Sequence, residues 1–397
     1  MFSKDKKLFN KKTSGKPESL KKREITYSSL NWFKDKTHFS GASPPEIFVG
    51  RYNYPHVNAG ILSPETFENT EEMSLPELWH EKKFSIHDVL MRRSQLVYGR
   101  FKANIQQTQN RFIDTMQQLS MASQSVSTEF FLKQPPKNVF QTNRVSSVIA
   151  NPAPLQFAKL QENPKVKPKV DYLVNDTNAK SVESLKELYS HHIPISNLSK
   201  LLSAGLLGLK SQRKLVPTRW SITAVDDTLS KNLLKKIKYY NETDQILLFH
   251  AEYNGNHYEI LLLPAHFSFE VIEIESLNGK CWQDYELFHG RKTYAENVVG
   301  AYYANRLALC EYLEKIKKQA TAIFFREIKP TYYAPLGVGI LRECSREAFT
   351  HPPETCASLE EAFEKIQQRI QLPISLFTEK STLLKNYGKQ KKIHQWF

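Results

Sequence analysis

The strongest constraint on the fold is a pair of apolar runs that a tight-turn signal separates. Ile246–Tyr253 and Tyr258–Leu263 have the length and the apolar and aromatic content of strands, and Asn254-Gly255-Asn256 stands between them. An Asn-Gly pair tolerates the left-handed backbone that a two-residue hairpin turn requires. The sequence therefore predicts two antiparallel strands here, with Phe267–Ile274 as a third strand.

Helical patterns are interspersed with these strands. The predicted elements are helices over Ser181–Ser190, Ile195–Leu206 and Ala295–Lys317, a strand over Ala322–Ile328, and a strand or helix over Gly337–Phe349. This mixture indicates an α+β fold, with a mixed or antiparallel sheet and packed helices. Between Gln134 and Pro168 the prolines are too dense for a helix, so extended chain or an edge strand is expected.

Composition divides the chain into four parts. Residues 1–24 carry nine Lys or Arg against three acidic residues, which is typical of a disordered basic segment. We predict a flexible basic arm over 1–42, an N-terminal domain over 43–228, a C-terminal α+β domain over 229–378 and a flexible tail over 379–397.

The charge and the cysteine usage narrow the class of function. A formal net charge of +14 favours polyanionic partners such as DNA, although a generally lysine-rich proteome has the same effect. Four widely spaced cysteines without a CxxC pair argue against a disulfide framework or a zinc site. No cofactor is predicted, and a divalent metal is expected only if the chain is an enzyme. No apolar run has the length of a membrane-spanning helix, so we expect no membrane partner and a cytoplasmic, nucleoid-associated location.

The last eight residues carry the most specific motif. Gln390, Ile393, Trp396 and Phe397 match the pattern Gln-x-x-aliphatic-x-x-aromatic-aromatic (a PIP-type motif), with which partner proteins bind a DNA sliding clamp of the proliferating cell nuclear antigen type. In a single 3₁₀ turn, residues three apart lie on one face, so Ile393 and Trp396 form an apolar plug with Phe397 beside them. The alternative is a tail that packs on its own domain.

Three internal segments resemble conserved segments of one known family. Pro44–Pro55, Lys214–Asp227 and Ala295–Arg306 are similar to signatures of the archaeal Nre family of DNA repair proteins, and the resemblance covers roughly Pro44 to the C-terminus. It implies a role in repairing DNA damage and a clamp-binding tail, without a known catalytic mechanism. Many members carry a four-cysteine zinc motif before the Gly-Arg-Tyr segment, whereas residues 28–43 hold no cysteine here.

The second of these segments contains the main catalytic candidates. Arg219 could hold a phosphate while Asp226 and Asp227 hold a divalent metal. The structural alternative is an Arg219 that pairs with one of these carboxylates as a buried strut between the domains. Glu296 is a further catalytic candidate.

The nucleic-acid-binding candidates combine cationic and aromatic side chains. Arg51, Tyr52, Tyr54 and His56 lie in a loop bounded by Gly and Pro, where rings can stack on bases and cations can bind phosphates. The alternative is a rigid turn with its tyrosines in the core. Arg219 and Arg306 are further candidates, the latter on the helix that also carries Tyr302 and Tyr303.

These observations lead to a DNA repair factor that the sliding clamp recruits and that contacts DNA with a basic surface. DNA, the clamp and excision-repair proteins are the expected partners. Two alternatives stay open: a clamp-tethered enzyme that processes or modifies DNA, and a clamp adaptor that does not bind DNA.

Overall fold

The computed structural model describes Phe33, residues 35–106 and residues 110–388. In this part of the chain the strands are β1 (His38–Ser43), β2 (Ile47–Val49), β3 (His56–Ser63), β4 (Val97–Asn104), β5 (Val126–Leu132), β6 (Phe140–Gln141), β7 (Ile149–Ala150), β8 (Pro152–Leu160), β9 (Asn241–Glu242), β10 (Ile246–Tyr253), β11 (Asn256–Leu263), β12 (Ser268–Glu275), β13 (Cys281–Glu286), β14 (Lys318–Gln319), β15 (Thr321–Ile328) and β16 (Glu354–Cys356). The α-helices are α1 (Pro76–Glu81), α2 (Ile86–Ser94), α3 (Arg111–Met121), α4 (Pro168–Asn175), α5 (Ser181–Ser190), α6 (Ile195–Ser203), α7 (Thr218–Ile237), α8 (Gly300–Ile316), α9 (Val338–Ala348), α10 (Leu359–Arg369), α11 (Ile374–Thr378) and α12 (Thr382–Asn386). Short 3₁₀ helices cover Thr70–Met73 and Lys210–Gln212. Each described helix is too short or too polar to cross a membrane.

Two six-stranded sheets contain most of the strands. The first has the order β1-β5-β8-β4-β3-β2, and the second has the order β13-β12-β15-β11-β10-β16. One neighbouring pair in each sheet is parallel, β4 with β8 and β12 with β15, and the other pairs are antiparallel. The predicted α+β class with mixed sheets is confirmed.

The predicted hairpin lies at the centre of the second sheet. Asn254 (φ 51°) and Gly255 (φ 73°) both have left-handed backbone, and β10 and β11 pair from Leu247↔Leu262 to Tyr253↔Asn256. Every residue of β11 is buried, which is expected for a strand in a sheet covered on both faces. The strand begins two residues earlier than predicted.

Helices pack between the two sheets and against the outer face of the second. α3, α5, α6 and α7 pack on the first sheet through a core that includes Ile113, Leu188, Leu198 and Leu229. α8 and α9 cover one face of the second sheet, where the Phe269 and Tyr302 ring centroids are 5.0 Å apart. α10, α11 and α12 cover its other face through Ile366, Phe377 and Leu383. Because α6, α7, α8 and α9 contact one another in turn, they connect the sheets.

Three helices differ from the sequence prediction or complete it. Polar residues are buried within α7, among them Asp226 and Ser230, so it lacks the single apolar stripe by which a helix is recognised. The predicted helix from Ala295 begins only at Gly300, because Val299 has a positive φ of 56°. The ambiguous segment Gly337–Phe349 is the helix α9.

The proline-rich segment contains an interior strand rather than an edge strand. β8 lies between β5 and β4 in the first sheet. Proline lacks an N–H donor, but its carbonyl still accepts hydrogen bonds. The N–H of Lys133 donates to the Pro154 carbonyl at 2.9 Å, and that of Lys137 donates to the Pro152 carbonyl at 3.1 Å. These acceptors explain how prolines are tolerated at the start of β8.

From Phe33 onward the described residues belong to one compact unit. The predicted boundary between residues 228 and 229 falls inside α7, and β1 starts within the predicted arm, at His38. The division into an N-terminal and a C-terminal domain stays a prediction. Residues 1–32, most of the predicted arm, lie outside the described residues.

Glu270 on β12 holds the last described helix. Its buried carboxylate accepts hydrogen bonds from the N–H groups of Thr382 at 2.8 Å and Leu383 at 3.2 Å, and from the Ser381 hydroxyl. Leu383 itself is buried in the core beneath α10 and α11. The second sheet thus fixes α12 two residues before the described chain ends at Gly388.

Candidate nucleic-acid interface

The loop between β2 and β3 presents cationic and aromatic side chains to solvent. Tyr52 is 77% exposed and Tyr54 is 44% exposed, and Arg51 and His56 are exposed beside them. The Arg51 guanidinium lies 5.5 Å from the centroid of the Tyr52 ring. Both tyrosines therefore lie outside the core, which differs from the alternative prediction of a rigid turn with its tyrosines in the core.

The first turn of α7 holds this loop and adds another ring. The Val49 N–H donates a hydrogen bond of 2.9 Å to Thr218 Oγ1, which ties the end of β2 to the start of the helix. Trp220 is 43% exposed, and its ring centroid lies 5.2 Å from that of Tyr54. Since β2 and the helix are packed elements, the loop is presented from a rigid base.

Tyr294, in the loop before α8, extends the exposed rings. It is 45% exposed and lies beside Thr223, three residues after Trp220 and hence on the same face of α7. Partial burial raises the pKa of Tyr294, and the charge of the nearby Arg219 opposes that shift. We call the four rings of Tyr52, Tyr54, Trp220 and Tyr294 the aromatic surface.

Asp226 belongs to a buried ion pair, with a partner that the sequence does not predict. Its oxygens accept hydrogen bonds from Arg342 Nε at 3.1 Å and from Arg342 Nη2 at 2.8 Å, with both side chains buried. Burial raises the pKa of Asp226 more than Arg342 lowers it. The structural strut is thus present, but it joins α7 to α9 through Arg342 rather than Arg219.

Asp227 faces another direction and binds Arg306. The Arg306 guanidinium also donates to both Glu286 oxygens, at 3.1 and 2.9 Å, and to Ser230 Oγ at 3.1 Å. Burial lowers the pKa of Arg306, but Glu286, Tyr302 and Asp227 together raise it by more, so the net shift is upward. Arg306 is buried and its donors are occupied, so it does not face solvent as a phosphate ligand must.

The catalytic candidates do not converge in one cleft. Asp226 and Asp227 serve separate ion pairs, and Glu296 is exposed in the loop before α8 rather than on the helix. No group of three or more His, Cys, Asp or Glu side chains in the described chain is arranged as metal ligands. A catalytic role for these residues and Arg219 stays a prediction.

The clamp-binding residues lie outside the described chain. Gln390, Ile393, Trp396 and Phe397 follow Gly388, the last described residue, so their role also stays a prediction.

Sequence reasoning missed two residues that the structure singles out. Tyr294 is an isolated tyrosine in a loop, and no local pattern distinguishes it. Lys200 is buried on α6. The sequence does contain a pattern that indicates its surroundings, because Ser196, Ser199 and Ser203 flank it at helical spacing and predict a polar face on an otherwise buried helix.

Comparison with known proteins identifies the family. Residues 19–282 match the model described as archaeal Nre, N-terminal, and residues 286–396 match archaeal Nre, C-terminal. DNA repair protein NreB of Archaeoglobus fulgidus is 34% identical over 371 residues, covering 90% of this chain and 91% of the relative. DNA repair protein NreA of the same organism is 34% identical (87% and 88% covered), and NreA of Haloferax volcanii is 31% identical (86% and 86%).

No solved structure matches the chain significantly. Together the two family models cover the three internal segments noted in the sequence. The relatives align with this chain over most of their own length. The chain belongs to the archaeal Nre family.

Proposed function

We propose that the protein is a DNA repair factor that a sliding clamp recruits through Gln390–Phe397 and that contacts DNA through the aromatic surface. The names of the relatives, DNA repair proteins NreA and NreB, support the repair role. The observation that carries the DNA contact is the grouping of four exposed rings with Arg51 and Arg219 around the first turn of α7. An association with the nucleoid follows from the proposal.

Exposed rings beside arginines suit DNA whose bases are unpaired. Every base has a π face, so stacking on a tyrosine or tryptophan needs no particular sequence and contributes about 1–3 kcal/mol per base. Arginine adds attraction to the phosphates. Damaged or branched DNA exposes unpaired bases, whereas an intact duplex buries them. The surface therefore favours single-stranded or distorted DNA over intact duplex.

Fluorescence anisotropy titrations with single-stranded, branched and duplex oligonucleotides test the DNA contact. Trp220→Ala and Tyr52→Ala are each expected to weaken single-strand binding by about 5- to 150-fold, the equivalent of one lost stacking contact. Tyr239→Ala is the matched control, because Tyr239 is 89% exposed and follows the far end of α7, roughly 28 Å from Trp220 along the helix axis. Equal losses in all three variants, or none, would count against the aromatic surface.

Clamp binding is tested separately. Calorimetric titration of a peptide spanning 390–397 into the sliding clamp of the same organism should show binding, and Trp396→Ala with Phe397→Ala should abolish it because those rings fill the pocket. In the full chain, the same double substitution should leave DNA affinity nearly unchanged. A peptide that fails to bind the clamp removes the recruitment part of the proposal and leaves the DNA contact standing.

The two alternatives give different results in these assays. A clamp adaptor binds the clamp but not DNA. An enzyme converts damaged or branched DNA into a product in the presence of Mg²⁺ or Mn²⁺, and loses that activity in Asp227→Asn. We favour a binding role because Asp226 and Asp227 are engaged by different arginines and do not share one site.

A further inference from the structure

A cavity of about 70 Å³, open to solvent, lies where α6 meets β2 and the first turns of α7 and α9. One wall is the polar face of α6, formed by Ser196, Ser199, Lys200 and Ser203. Apolar side chains such as Ile47 and Ile222 also line it. A mostly apolar lining with a few convergent polar groups is typical of a site for a small molecule.

Lys200 is the unusual member of this lining. Its side chain is only 8% exposed, and its Nζ has no hydrogen-bond partner in the described chain. A buried ammonium without a counter-ion is destabilising, and such groups call for an explanation by a bound species or by loss of the proton. Burial lowers the pKa of Lys200, which is consistent with a cation that lacks its partner.

Of the charged groups around Lys200, Glu46 and Arg342 have ion-pair partners, whereas Glu77 has none in the described chain and its Oε2 is buried without a hydrogen bond. Glu46 is paired with Arg93 at 2.5 Å, and Arg342 is paired with Asp226. Glu77 accepts a hydrogen bond from the Ser196 N–H at 3.3 Å and is not among the residues that line the cavity. The carboxylates of Glu46 and Glu77 attract Lys200 without contacting it. Lys200 is therefore the one cation of the cavity lining without an ion-pair partner in the described chain.

Hydroxyl donors accompany this cation. Ser196 Oγ is buried and has no partner in the described chain. Ser146 Oγ accepts a hydrogen bond from Asn143 Nδ2, which leaves its own proton free to donate into the cavity that it lines. An ammonium and hydroxyl protons together form a donor set that matches the oxygens of an anion.

Three helices also begin at the cavity. Ser196, Thr218 and Gly339, from the first turns of α6, α7 and α9, line it. None of these helices has an acidic residue in its first turn or a side chain capping its N-terminus. Helix N-termini carry partial positive charge and N–H donors that favour phosphate. Glu77 offsets this charge in part at α6, and the Val338 N–H at the start of α9 already donates to the Val145 carbonyl at 2.9 Å, whereas no side chain caps α7.

From Lys200, its hydroxyl neighbours and the helix starts we infer that this cavity binds the phosphate group of a small molecule. The phosphate contacts Lys200 Nζ and the Ser196 hydroxyl, and the apolar walls accept the rest of the molecule. This inference does not depend on DNA or clamp binding, because it concerns neither the aromatic surface nor residues 390–397.

Isothermal titration of the full chain with three probes tests it: inorganic phosphate, a mixture of deoxynucleoside monophosphates, and the matching deoxynucleosides. Binding of phosphate and of monophosphates, with no binding of the nucleosides, is the expected result. Binding of the monophosphates alone also supports the inference and adds a requirement for the apolar walls. Absence of binding by both phosphate-bearing probes at millimolar concentration overturns it, and water then satisfies these groups.

Lys200→Met and its control establish where the ligand binds. Lys200→Met keeps the length and removes the charge, so phosphate affinity should fall at least 10-fold. Because the substitution removes an unpartnered buried ammonium, the melting temperature of Lys200→Met should stay the same or rise. An unchanged or higher melting temperature shows that a loss of affinity is not caused by misfolding. Lys236→Met, on an exposed stretch of α7 with its side chain 69% exposed, should leave affinity unchanged. Equal affinity in Lys200→Met and the parent chain overturns the assignment.

Proton uptake gives an independent readout. A phosphate anion beside Lys200 raises the pKa of its amine. At pH values above the second pKa of the phosphate, where the phosphate itself does not take up a proton, affinity should strengthen as the pH falls and the measured heat should depend on the ionisation enthalpy of the buffer. That dependence should disappear in Lys200→Met. A dependence that persists there contradicts contact between the phosphate and Lys200.

Discussion

Buried arginines are the most distinctive single residues of this protein. Arg93, Arg306, Arg326 and Arg342 are all nearly inaccessible, and each is paired with a buried or nearly buried carboxylate. Such pairs contribute little net stability compared with apolar residues of similar volume, but removing one partner leaves an uncompensated buried charge. The sequence indicates neither the burial nor the pairing, since the partner of Asp226 is 116 residues away. Lys200 differs from these arginines because its charge has no such partner.

Breaking the Asp226–Arg342 pair should be strongly destabilising. Asp226→Leu or Arg342→Met alone should lower the free energy of unfolding by about 3–5 kcal/mol, whereas the double variant should lose less than the sum. Urea denaturation of the four proteins measures this coupling. The Lys365–Glu361 pair, with side chains 30% and 40% exposed, is the control and should contribute little to stability, because solvent and salt screen an exposed ion pair. Additive single effects would show that the pair is not coupled.

His257 should make stability depend on pH. Burial lowers the pKa of His257, but Glu259 at 2.8 Å and Glu252 at 3.1 Å raise it, and the net shift is upward. A histidine whose pKa is raised on folding stabilises the fold fully below its unfolded pKa of about 6.5, and that contribution is lost as the pH rises through the folded pKa. The stability difference between the parent chain and His257→Gln should therefore shrink from pH 5.5 to 8.5.

A matched substitution checks the origin of this effect. Glu252→Gln removes the carboxylate 3.1 Å from His257 Nδ1, so the pH dependence of stability should be smaller in that background. A difference for His257→Gln that grows with pH would contradict the predicted sign.

Short sequence motifs predict those helices and strands whose starts and turns depend on neighbouring residues alone. Asn254-Gly255 predicts the hairpin because both residues must adopt positive φ. Ser85 is a typical N-cap residue at the start of α2, where its hydroxyl accepts a hydrogen bond from the Asp88 N–H. α7 and the interior strand β8 escape prediction because their buried polar residues and prolines are tolerated only through partners from distant parts of the chain. The order of strands in the two sheets depends on the same long-range contacts.

Gly255 should be intolerant of a side chain for two reasons. Its φ is +73°, and a Cβ would come within 2.7 Å of the Tyr332 nitrogen and collide with Thr331. Gly279 has a similar φ of +66° in open space, so Gly279→Ala measures the backbone cost alone, about 1 kcal/mol. Gly255→Ala should lower the free energy of unfolding by a further 1–3 kcal/mol or so, as expected for overpacking. Equal losses would mean that the neighbouring residues move aside freely.

For the whole molecule, the candidate sites differ in how far sequence can predict them. The predicted clamp-binding motif is contiguous, so the sequence alone is sufficient to recognise its pattern. The aromatic surface combines residues 52 and 294, and the cavity combines residues 46 and 342, so folding alone brings their members together. The positive charge of the chain is a further global property, and it sets how any DNA contact responds to salt.

DNA affinity should fall steeply as the salt concentration rises. In a plot of log K against log salt, the slope reports the number of phosphates contacted. Arg51→Gln and Arg219→Gln should each make the slope shallower by about one unit, whereas Trp220→Ala should weaken binding without changing it. Lys236→Gln, distant from the aromatic surface on α7, should leave both slope and affinity as they are. Salt-independent binding would exclude phosphate contacts.

The capping of α12 by Glu270 has a mechanical consequence. α12, which the second sheet fixes, ends at Asn386, and the terminal motif begins at Gln390, two residues after Gly388. Two residues of extended chain span at most about 7 Å. On the proposal that this motif binds a sliding clamp, the clamp would therefore lie close to the folded part of the protein and would restrict its DNA contacts to the duplex near the ring.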